Sequence, residues 1–173
     1  MQASIRILST LISGFLAWGA AAQDAGQVPD LNLEDLINID VTSASRKTQH
    51  LQEVAAAVFV ITQEDIARSG ARSLADVLAM APGVEVARIG NNRWAVSARG
   101  WNSRFASKLQ VLKDGRSVYS PLFSGVFWEA EDTVLEDIER IEIIRGPNAA
   151  MWGSNAVNGT INIITKKARD TQG

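Results

Sequence analysis

Apolar stretches of strand length, broken by short polar turns, recur along the chain from residue 55 onward. Continuous or alternating apolar positions over about four to eight residues are typical of β-strands. The pattern predicts a buried strand at 55–61 and further strands at 84–89, 94–99, 109–112, 116–119, 137–144 and 160–165. Asp114-Gly115 favours a tight hairpin because Gly tolerates a positive φ. The Gly- and Asn-rich segment 148–158 is expected to pack as a compact turn with Trp152 buried.

Helical spacing and capping residues replace the strand pattern between residues 62 and 83. Thr62 and Asp65 can begin a first helix that Gly70 closes, and Ser73 can begin a second that Pro82-Gly83 ends. The apolar face of the second helix falls at i, i+3, i+4 and i+7 and comprises Leu74, Val77, Leu78 and Ala81. The sequence therefore predicts an α+β fold, with a small mixed β-sheet, two short adjacent helices and long loops.

The N-terminal residues are typical of a secretory signal peptide, predicted at 1–22. Arg6 supplies a weak positive charge, an apolar stretch follows at 7–18, and Ala20-Ala21-Ala22 matches a small-residue cleavage site. A buried N-terminal helix is the alternative interpretation. Beyond this segment we expect a flexible N-terminal arm at 23–52, one domain at 53–168 and a C-terminal tail at 169–173.

Composition removes most enzyme chemistry. The chain has no Cys, a single His and a formal net charge of −2, which excludes disulfide frameworks, iron–sulfur clusters, thiol catalysis and multi-histidine metal sites. The mild acidity gives no general attraction to nucleic acid. His50 lies in a basic linker without the neighbours that a Ser-His-Asp triad needs, so we expect no enzyme, no metal and no cofactor. Glu129, Glu131 and Asp132 favour a solvated acidic loop over a cation site.

Eight short motifs follow one another in an order that is more specific than any of them alone. They are Val58-Phe-Val-Ile-Thr-Gln-Glu-Asp-Ile, Leu74-Ala-Asp-Val-Leu, Pro82-Gly-Val, Ser97-Ala-Arg-Gly, Val111-Leu-Lys-Asp-Gly-Arg, Ile138-Glu-Arg-Ile-Glu-Ile-Ile-Arg-Gly-Pro, Trp152-Gly-Ser-Asn-Ala-Val-Asn-Gly and Ile161-Asn-Ile-Ile-Thr-Lys. Together, over residues 40 to 167, they resemble the plug domain of TonB-dependent outer-membrane receptors.

This resemblance implies a gating function at the cell outer membrane. In such receptors the plug closes the lumen of a β-barrel, and a ligand such as a ferric siderophore or vitamin B12 binds its outer face. The energy-coupling protein TonB then pulls on a short N-terminal segment, the TonB box, from the periplasm. The partners implied are the TonB C-terminal domain, a receptor barrel absent from this chain and a small-molecule ligand such as a metal chelate. The alternative is a free-standing periplasmic binding or signalling domain with the plug fold.

The candidate TonB box precedes the domain. The resemblance assigns TonB binding to Asp40, Val41, Thr42, Ser43 and Ala44. Coupling of this kind adds an extended segment as a strand to the edge of the partner's sheet, and the β-branched Val-Thr pair favours that conformation. An ordinary linker is the alternative.

Two arginines match strongly patterned positions of the family, Arg99 in Ala-Arg-Gly and Arg145 in Ile-Arg-Gly-Pro. Arg stays charged and binds carboxylates in a bidentate manner, which suits contacts between plug and barrel. An ion pair inside the plug, with Glu139 or Glu142, is an equally good interpretation of the sequence.

Ligand contact is assigned, through the resemblance, to two ligand loops that carry aromatic residues, the first at 101–105 and the second at 120–128. The predicted contact residues are Trp101, Asn102, Arg104, Phe105, Leu122 and Phe123. Aromatic rings can stack on a ligand, and the Asn and Arg side chains beside them can donate hydrogen bonds to it. The same rings can instead pack against the wall of a barrel.

Overall fold

The computed structural model describes residues 39–43, 46–131 and 133–171. The predicted signal peptide at 1–22, the part of the arm before residue 39, Ala44, Asp132 and the last residues of the tail lie outside the described residues.

Strand is the commonest regular element of the described chain, and most of the strands are short. The strands are β1 (Asp40–Val41), β2 (Gln49–His50), β3 (Ala57–Thr62), β4 (Val84–Gly90), β5 (Arg93–Ala98), β6 (Leu109–Lys113), β7 (Arg116–Ser117), β8 (Tyr119–Ser120), β9 (Gly125–Val126), β10 (Ile138–Arg145) and β11 (Gly159–Thr165). The helices are α1 (Gln63–Ser69), α2 (Leu74–Leu78) and α3 (Ala149–Trp152). Single 3₁₀ turns occur at Leu51–Glu53, Trp128–Ala130, Leu135–Asp137 and Ala168–Asp170.

Strand β10 lies inside a five-stranded mixed sheet of order β3-β10-β11-β6-β7. It pairs antiparallel with β3 on one side and with β11 on the other, so that Ile141 is opposite both Ile61 and Ile163. Strands β11 and β6 are parallel, with Ile161 opposite Val111. The predicted mixed sheet with two adjacent helices is confirmed. Two-stranded ribbons β1-β2, β4-β5 and β8-β9 flank this sheet.

The two helices form as the capping residues predict. Thr62 and Asp65 make a reciprocal capping box at the start of α1, and Gly70 ends this helix with a φ of 67°. Burial by itself raises the pKa of the Asp65 carboxyl, but the hydrogen bonds from Thr62 and the Arg68 guanidinium outweigh it and hold that pKa below its ordinary value. Ser73 caps α2 by accepting a hydrogen bond from the Asp76 N–H.

One face of the sheet packs against α1 and α2 to form the apolar core. The four residues predicted for the apolar face of α2 are all buried. The core includes Ile61, Ile66, Leu74, Val77, Leu78, Ala81, Val96, Val111, Ile141, Ile143, Ile161 and Ile163. Each buried side chain of this size contributes about 1.5–3 kcal/mol relative to exposure.

The other face of the same sheet is also buried, and it carries most of the buried polar residues beside Leu112 and Ile144. We call it the polar face. Successive side chains of a strand point to opposite faces, so the residues that alternate with the core isoleucines share this second face. Four of them are 0–5% exposed: Gln110, Glu142, Thr160 and Asn162. Glu142 is directly opposite Asn162, and Thr160 is opposite Gln110.

The Asp114-Gly115 hairpin forms as predicted, whereas two other segments differ in detail. Asp114 and Gly115 have φ values of 50° and 77° between β6 and β7. The strand predicted at 55–61 begins two residues later, at Ala57, and among its residues only Ile61 is buried. It is an edge strand, so one side lacks a neighbour in the described part of the sheet. Segment 148–158 contains helix α3, and Trp152 is half-buried.

Within the described ranges, no helix is both long enough and apolar enough to cross a membrane.

Gly159 is required where β11 meets β10. A Cβ at this position would lie 2.6 Å from the backbone oxygen of Ile144 on the neighbouring strand. We therefore expect Gly159→Ala to lower the free energy of unfolding by about 1–3 kcal/mol, the usual cost of overpacking. The matched control is Gly90→Ala, whose Cβ would come no closer than 3.4 Å, to the side chain of Arg93. Urea unfolding measures both, and equal destabilisation by the two variants would contradict this account.

Candidate functional site

Asp40 to Ser43 are four of the five residues predicted to bind TonB, and we call them the N-terminal segment. Asp40 and Val41 form strand β1, and Ser43 lies in a turn. Strand β1 pairs antiparallel with β2, and the Asp40 carboxylate lies 3.1 Å from Nδ1 of His50. Val41 is buried, with 1% of its surface exposed. Ala44, the fifth predicted residue, lies outside the described residues.

The carboxylate of Glu142 binds the N-terminal segment from the polar face of the sheet. Its Oε2 accepts hydrogen bonds from the Thr42 N–H at 2.9 Å, the Ser43 N–H at 2.7 Å and the Ser43 hydroxyl at 2.5 Å. Its Oε1 accepts from Nε of Arg140 at 2.9 Å. The carboxylate is 0% exposed, so these donors are what compensate its removal from water.

The Trp152 indole holds the same segment from a second direction. Its Nε1–H donates a hydrogen bond to the backbone oxygen of Ser43. The Arg46 guanidinium lies over the Trp152 ring, 4.5 Å from the centroid, in a cation–π contact. The short helix α3 therefore positions a side chain that the sequence pattern assigned to a turn.

An open groove runs beside the N-terminal segment. Its volume is about 990 Å³, and its lining includes Thr42, Arg140, Trp152, Asn162 and Lys166. The groove reaches the polar face of the sheet, so water has access to one side of the Glu142 contact region.

Arg99 and Arg145 lie near each other where β10 ends. A Cβ on Gly146 would lie 3.4 Å from Nη1 of Arg99, and one on Gly83 would lie 3.4 Å from Cδ of Arg145. Arg145 donates from Nη1 to the Pro82 oxygen at 3.3 Å, and its buried Nε has no hydrogen-bond partner in the part of the chain that the structure describes. The two glycines therefore make room for the two guanidinium groups.

The internal ion pairs considered for these arginines do not form in the described part of the chain. Glu139 and Glu142 both pair with Arg140 instead. Among the described residues, no carboxylate lies within 4.0 Å of the charged nitrogens of Arg99 or Arg145.

The first predicted ligand loop begins with an unusual backbone turn. Arg99, Gly100 and Trp101 have φ values of 57°, 84° and 60° in succession. Positive φ costs a non-glycine residue energy, and here it directs the Trp101 ring outward, 73% exposed. Nζ of Lys108 lies 3.6 Å from the centroid of that ring. A cavity of about 240 Å³ adjoins the turn and is lined by small polar residues including Ser97, Asn102, Ser103, Ser107 and Asn158.

The two predicted ligand loops touch through stacked phenylalanine rings. The centroids of Phe105 and Phe123 are 5.1 Å apart, and those of Phe123 and Phe127 are 5.2 Å apart. A Cβ on Gly125 would lie 2.9 Å from the backbone of Phe105, so the loops approach closely. Leu122 projects beyond the stack and is 81% exposed.

Arg104 joins these loops by charge. Its guanidinium is 4.9 Å from the Phe105 centroid and pairs with the Glu129 carboxylate at 2.6 Å. Burial raises the pKa of Glu129, but a backbone hydrogen bond and the guanidinium groups of Arg104 and Arg93 outweigh that effect and hold the pKa below its ordinary value. Of the six predicted contact residues, Trp101, Asn102, Leu122 and Phe123 are exposed, while Arg104 and Phe105 are half-buried.

Several residues of these sites were not assigned to them from the sequence. Glu142 enters the sequence prediction only as a partner for an arginine, and Phe127, Glu129 and Lys108 are not among the predicted ligand-contact residues. The sequence signal for Glu142 is its position between Ile141 and Ile143, because the apolar residues on both sides of it predict a buried strand. A charge there requires partners, although nothing local identifies them.

The acidic loop and the single histidine show no metal geometry. Glu129 pairs with Arg104, His50 pairs with Asp40, and Asp132 lies outside the described residues. Within the residues that the structure covers, no group of three or more His, Cys, Asp or Glu side chains is placed to hold a metal ion.

Comparison with known proteins identifies what this arrangement resembles. Residues 50–160 match the family model of the TonB-dependent receptor plug domain. The chain is 36% identical over 135 residues to the vitamin B12 transporter BtuB of Vibrio vulnificus, and 37% identical over 129 residues to that of Photobacterium profundum. These matches cover 77% and 74% of this chain, but only 21% and 20% of the relatives. The chain therefore spans about a fifth of their length.

The fold matches solved receptors over a similar region. The alcaligin outer-membrane receptor FauA of Bordetella pertussis superposes with a TM-score of 0.60 at 28% identity. The superposition covers 74% of this chain and 21% of that receptor. The relatives are transporters and receptors.

The lowered pKa of Glu129 predicts a pH dependence for the loops. A carboxyl whose pKa is lower in the folded state stabilises above its unfolded pKa, and that stability is lost as the pH falls through the folded value. Relative to Glu129→Gln, we expect an advantage of about 1 kcal/mol at neutral pH, discounted for the partly exposed Arg104. This advantage should shrink as the pH falls below 4.5, the reference value of the group.

Urea unfolding of both proteins at several pH values measures this difference. Subtracting the variant removes the contribution of Asp65, which loses stabilisation on the same acidic side. A difference that stays constant between pH 7 and pH 3 would contradict the assignment.

Proposed function

The chain belongs to the TonB-dependent receptor plug domains, a family of the cell outer membrane, and on this premise we propose that it gates the energised uptake of a scarce nutrient. The observation that carries the proposal is the family match at 50–160, with a β-paired strand that precedes it along the chain at Asp40–Val41. The ligand class is that of its relatives, a corrinoid or a ferric siderophore. The role is binding and movement, without catalysis.

The N-terminal segment is the part that TonB takes hold of. Its β1 portion already has the extended backbone that strand addition uses, and β1 has a partner on only one side within the described sheet. TonB replaces the short β1-β2 pairing with its own sheet edge. Asp40, Val41, Thr42, Ser43 and Ala44 are the proposed contact residues.

The arginine pair holds the plug in its barrel. Arg99 and Arg145 have no carboxylate partner in the described plug, and their guanidinium groups adjoin Gly83 and Gly146 at one end of β10. Carboxylates on a barrel wall would complete these two ion pairs. Because ion pairs exchange readily with water, they suit a plug that is retained but releasable.

The aromatic loops receive the ligand. Trp101, Asn102, Leu122 and Phe123 provide exposed contact surface, while Arg104 and Phe105 hold the two loops together. A large planar or chelated ligand gains dispersion and stacking energy from such rings. The cavity beside Trp101 supplies hydroxyl and amide groups for its polar substituents.

The TonB contact is tested by Val41→Pro. Proline removes a backbone N–H and is tolerated poorly in paired strands, so we expect binding to the TonB C-terminal domain to weaken by about tenfold or more. Isothermal titration with purified chain and TonB domain measures the affinity. Ala55→Pro is the matched control, since Ala55 is exposed and Val54 before it is already extended, with φ −81° and ψ 119°. Equal affinity of the two proline variants would refute the assignment.

The free energy of unfolding of an Arg99 variant tests whether Arg99 binds a partner outside the plug. We expect Arg99→Gln to change the free energy of unfolding of the chain by less than about 0.5 kcal/mol. Arg140→Gln is the control, because Arg140 donates to the buried Glu142 and its loss should cost about 2 kcal/mol. Chemical denaturation measures both. A cost for Arg99→Gln as large as that for Arg140→Gln would mean that Arg99 has an internal partner.

A further inference from the structure

Several contacts hold the N-terminal segment, and the hydrogen bonds to Glu142 are the most extensive of them. Val41 is the one residue of the segment whose apolar side chain is fully buried. The β1-β2 ribbon adds only two residue pairs. Against these small contributions, a single carboxylate oxygen receives three donors from Thr42 and Ser43 within 2.9 Å.

We propose that Glu142 is the positioning residue that anchors the N-terminal segment to β10, and that this carboxylate sets how readily the segment is withdrawn. The inference rests on the proposed function in that it takes Asp40–Ser43 as part of the segment that TonB engages. It goes further by naming the residue that holds the segment before TonB arrives.

A carboxylate makes this attachment both specific and reversible. A buried Glu142 carboxylate without hydrogen-bond donors would strongly destabilise the domain. The donors of the docked segment stabilise this charge, and the charge in turn holds the segment. Once the segment leaves, water from the adjoining groove can replace each donor, so the net cost of breaking each hydrogen bond is small. An apolar contact of the same extent would leave a dry surface exposed and would resist withdrawal more strongly.

On the polar face around Glu142, water can also bind when the segment leaves. Thr160 Oγ1 and Asn162 Oδ1 are buried and have no hydrogen-bond partner among the described residues. Asn162 lies opposite Glu142 in the sheet and also lines the groove. Hydration of this face would satisfy both atoms, which offsets part of the cost of releasing the segment.

Arg140 keeps Glu142 in place when the segment moves. It donates from Nε to Glu142 and also pairs with Glu139, so its guanidinium stays bound to β10 whether or not the segment is docked. The register of β10 against β3 and β11 holds Glu142 between Val60 and Asn162. The anchor therefore stays on the rigid sheet, and the segment is the part that moves.

Glu142→Gln tests the anchor, with Glu139→Gln as the matched control. Both variants remove one carboxylate that binds Arg140, but Glu139 makes no hydrogen bond to the N-terminal segment. The amide of Gln presents an NH₂ group to donors that need an acceptor. We expect amide hydrogen exchange at Thr42 and Ser43 to accelerate about tenfold or more in Glu142→Gln. Exchange in the β10-β11 ladder should change less than about twofold, and Glu139→Gln should leave the segment as it is.

The same measurement can overturn the proposal in two ways. Unchanged exchange at Thr42 and Ser43 in Glu142→Gln means that the carboxylate does not hold the segment. Equal acceleration in the segment and in β10-β11 means that Glu142 supports the sheet as a whole. If Glu142→Gln does not fold, Ser43→Ala removes one donor from the other side of the contact, and faster exchange confined to the segment is again the supporting result.

Binding to the TonB C-terminal domain separates this inference from the proposed function. A segment that is docked most of the time binds with an affinity reduced by its undocked fraction. Glu142→Gln should therefore bind TonB more tightly, by about the factor gained in exchange. Faster exchange with no gain in affinity leaves the anchor standing and removes the TonB-box assignment. Unchanged exchange removes the anchor whatever the affinity.

Discussion

Strand β10 must satisfy two opposite environments at once, and the organisation of the domain follows from this constraint. Ile141 and Ile143 close the apolar core, while Glu142 between them enters a buried polar layer. A register slip of one residue would place the carboxylate in the core and the isoleucines against polar groups. The apolar core therefore fixes the position of Glu142 as firmly as it fixes its own side chains, although Glu142 contributes nothing to that core.

The charges along β10 divide into a paired group and an unpaired group. Arg140 is bound by two carboxylates near one end, beside the N-terminal segment. Arg145, at the other end, adjoins Arg99 without a carboxylate in the described chain. At about 3.3 Å per residue, the Cα atoms of Arg140 and Arg145 lie some 16 Å apart along the strand. A single rigid element thus connects the surface proposed for TonB with the surfaces proposed for barrel and ligand.

Local rules predict much of this fold, and long-range contacts account for what they miss. The helix caps, the apolar face of α2 and the Asp114-Gly115 hairpin depend on residues a few positions apart, so the sequence alone indicates them. Helix α3 has four residues, too few for a periodic signal. Thr42 and Ser43, which donate hydrogen bonds to Glu142, lie about a hundred residues before it in the chain. The phenylalanine stack joins two separate loops. Such contacts exist only once the sheet has brought their segments together, and the aromatic residues alone do not specify which rings will meet.

The left-handed turn at Arg99, Gly100 and Trp101 opposes the thermodynamic preference of its own residues. Glycine or asparagine would occupy the position of Trp101 at lower backbone cost, and an exposed indole adds little to the core. Selection for thermostability alone would therefore tend to remove this tryptophan and leave the rest of the sheet unchanged. Because Trp101 is also a proposed ligand contact, variants chosen for stability and variants chosen for ligand binding would diverge at this turn, which makes it a poor target for stabilising engineering.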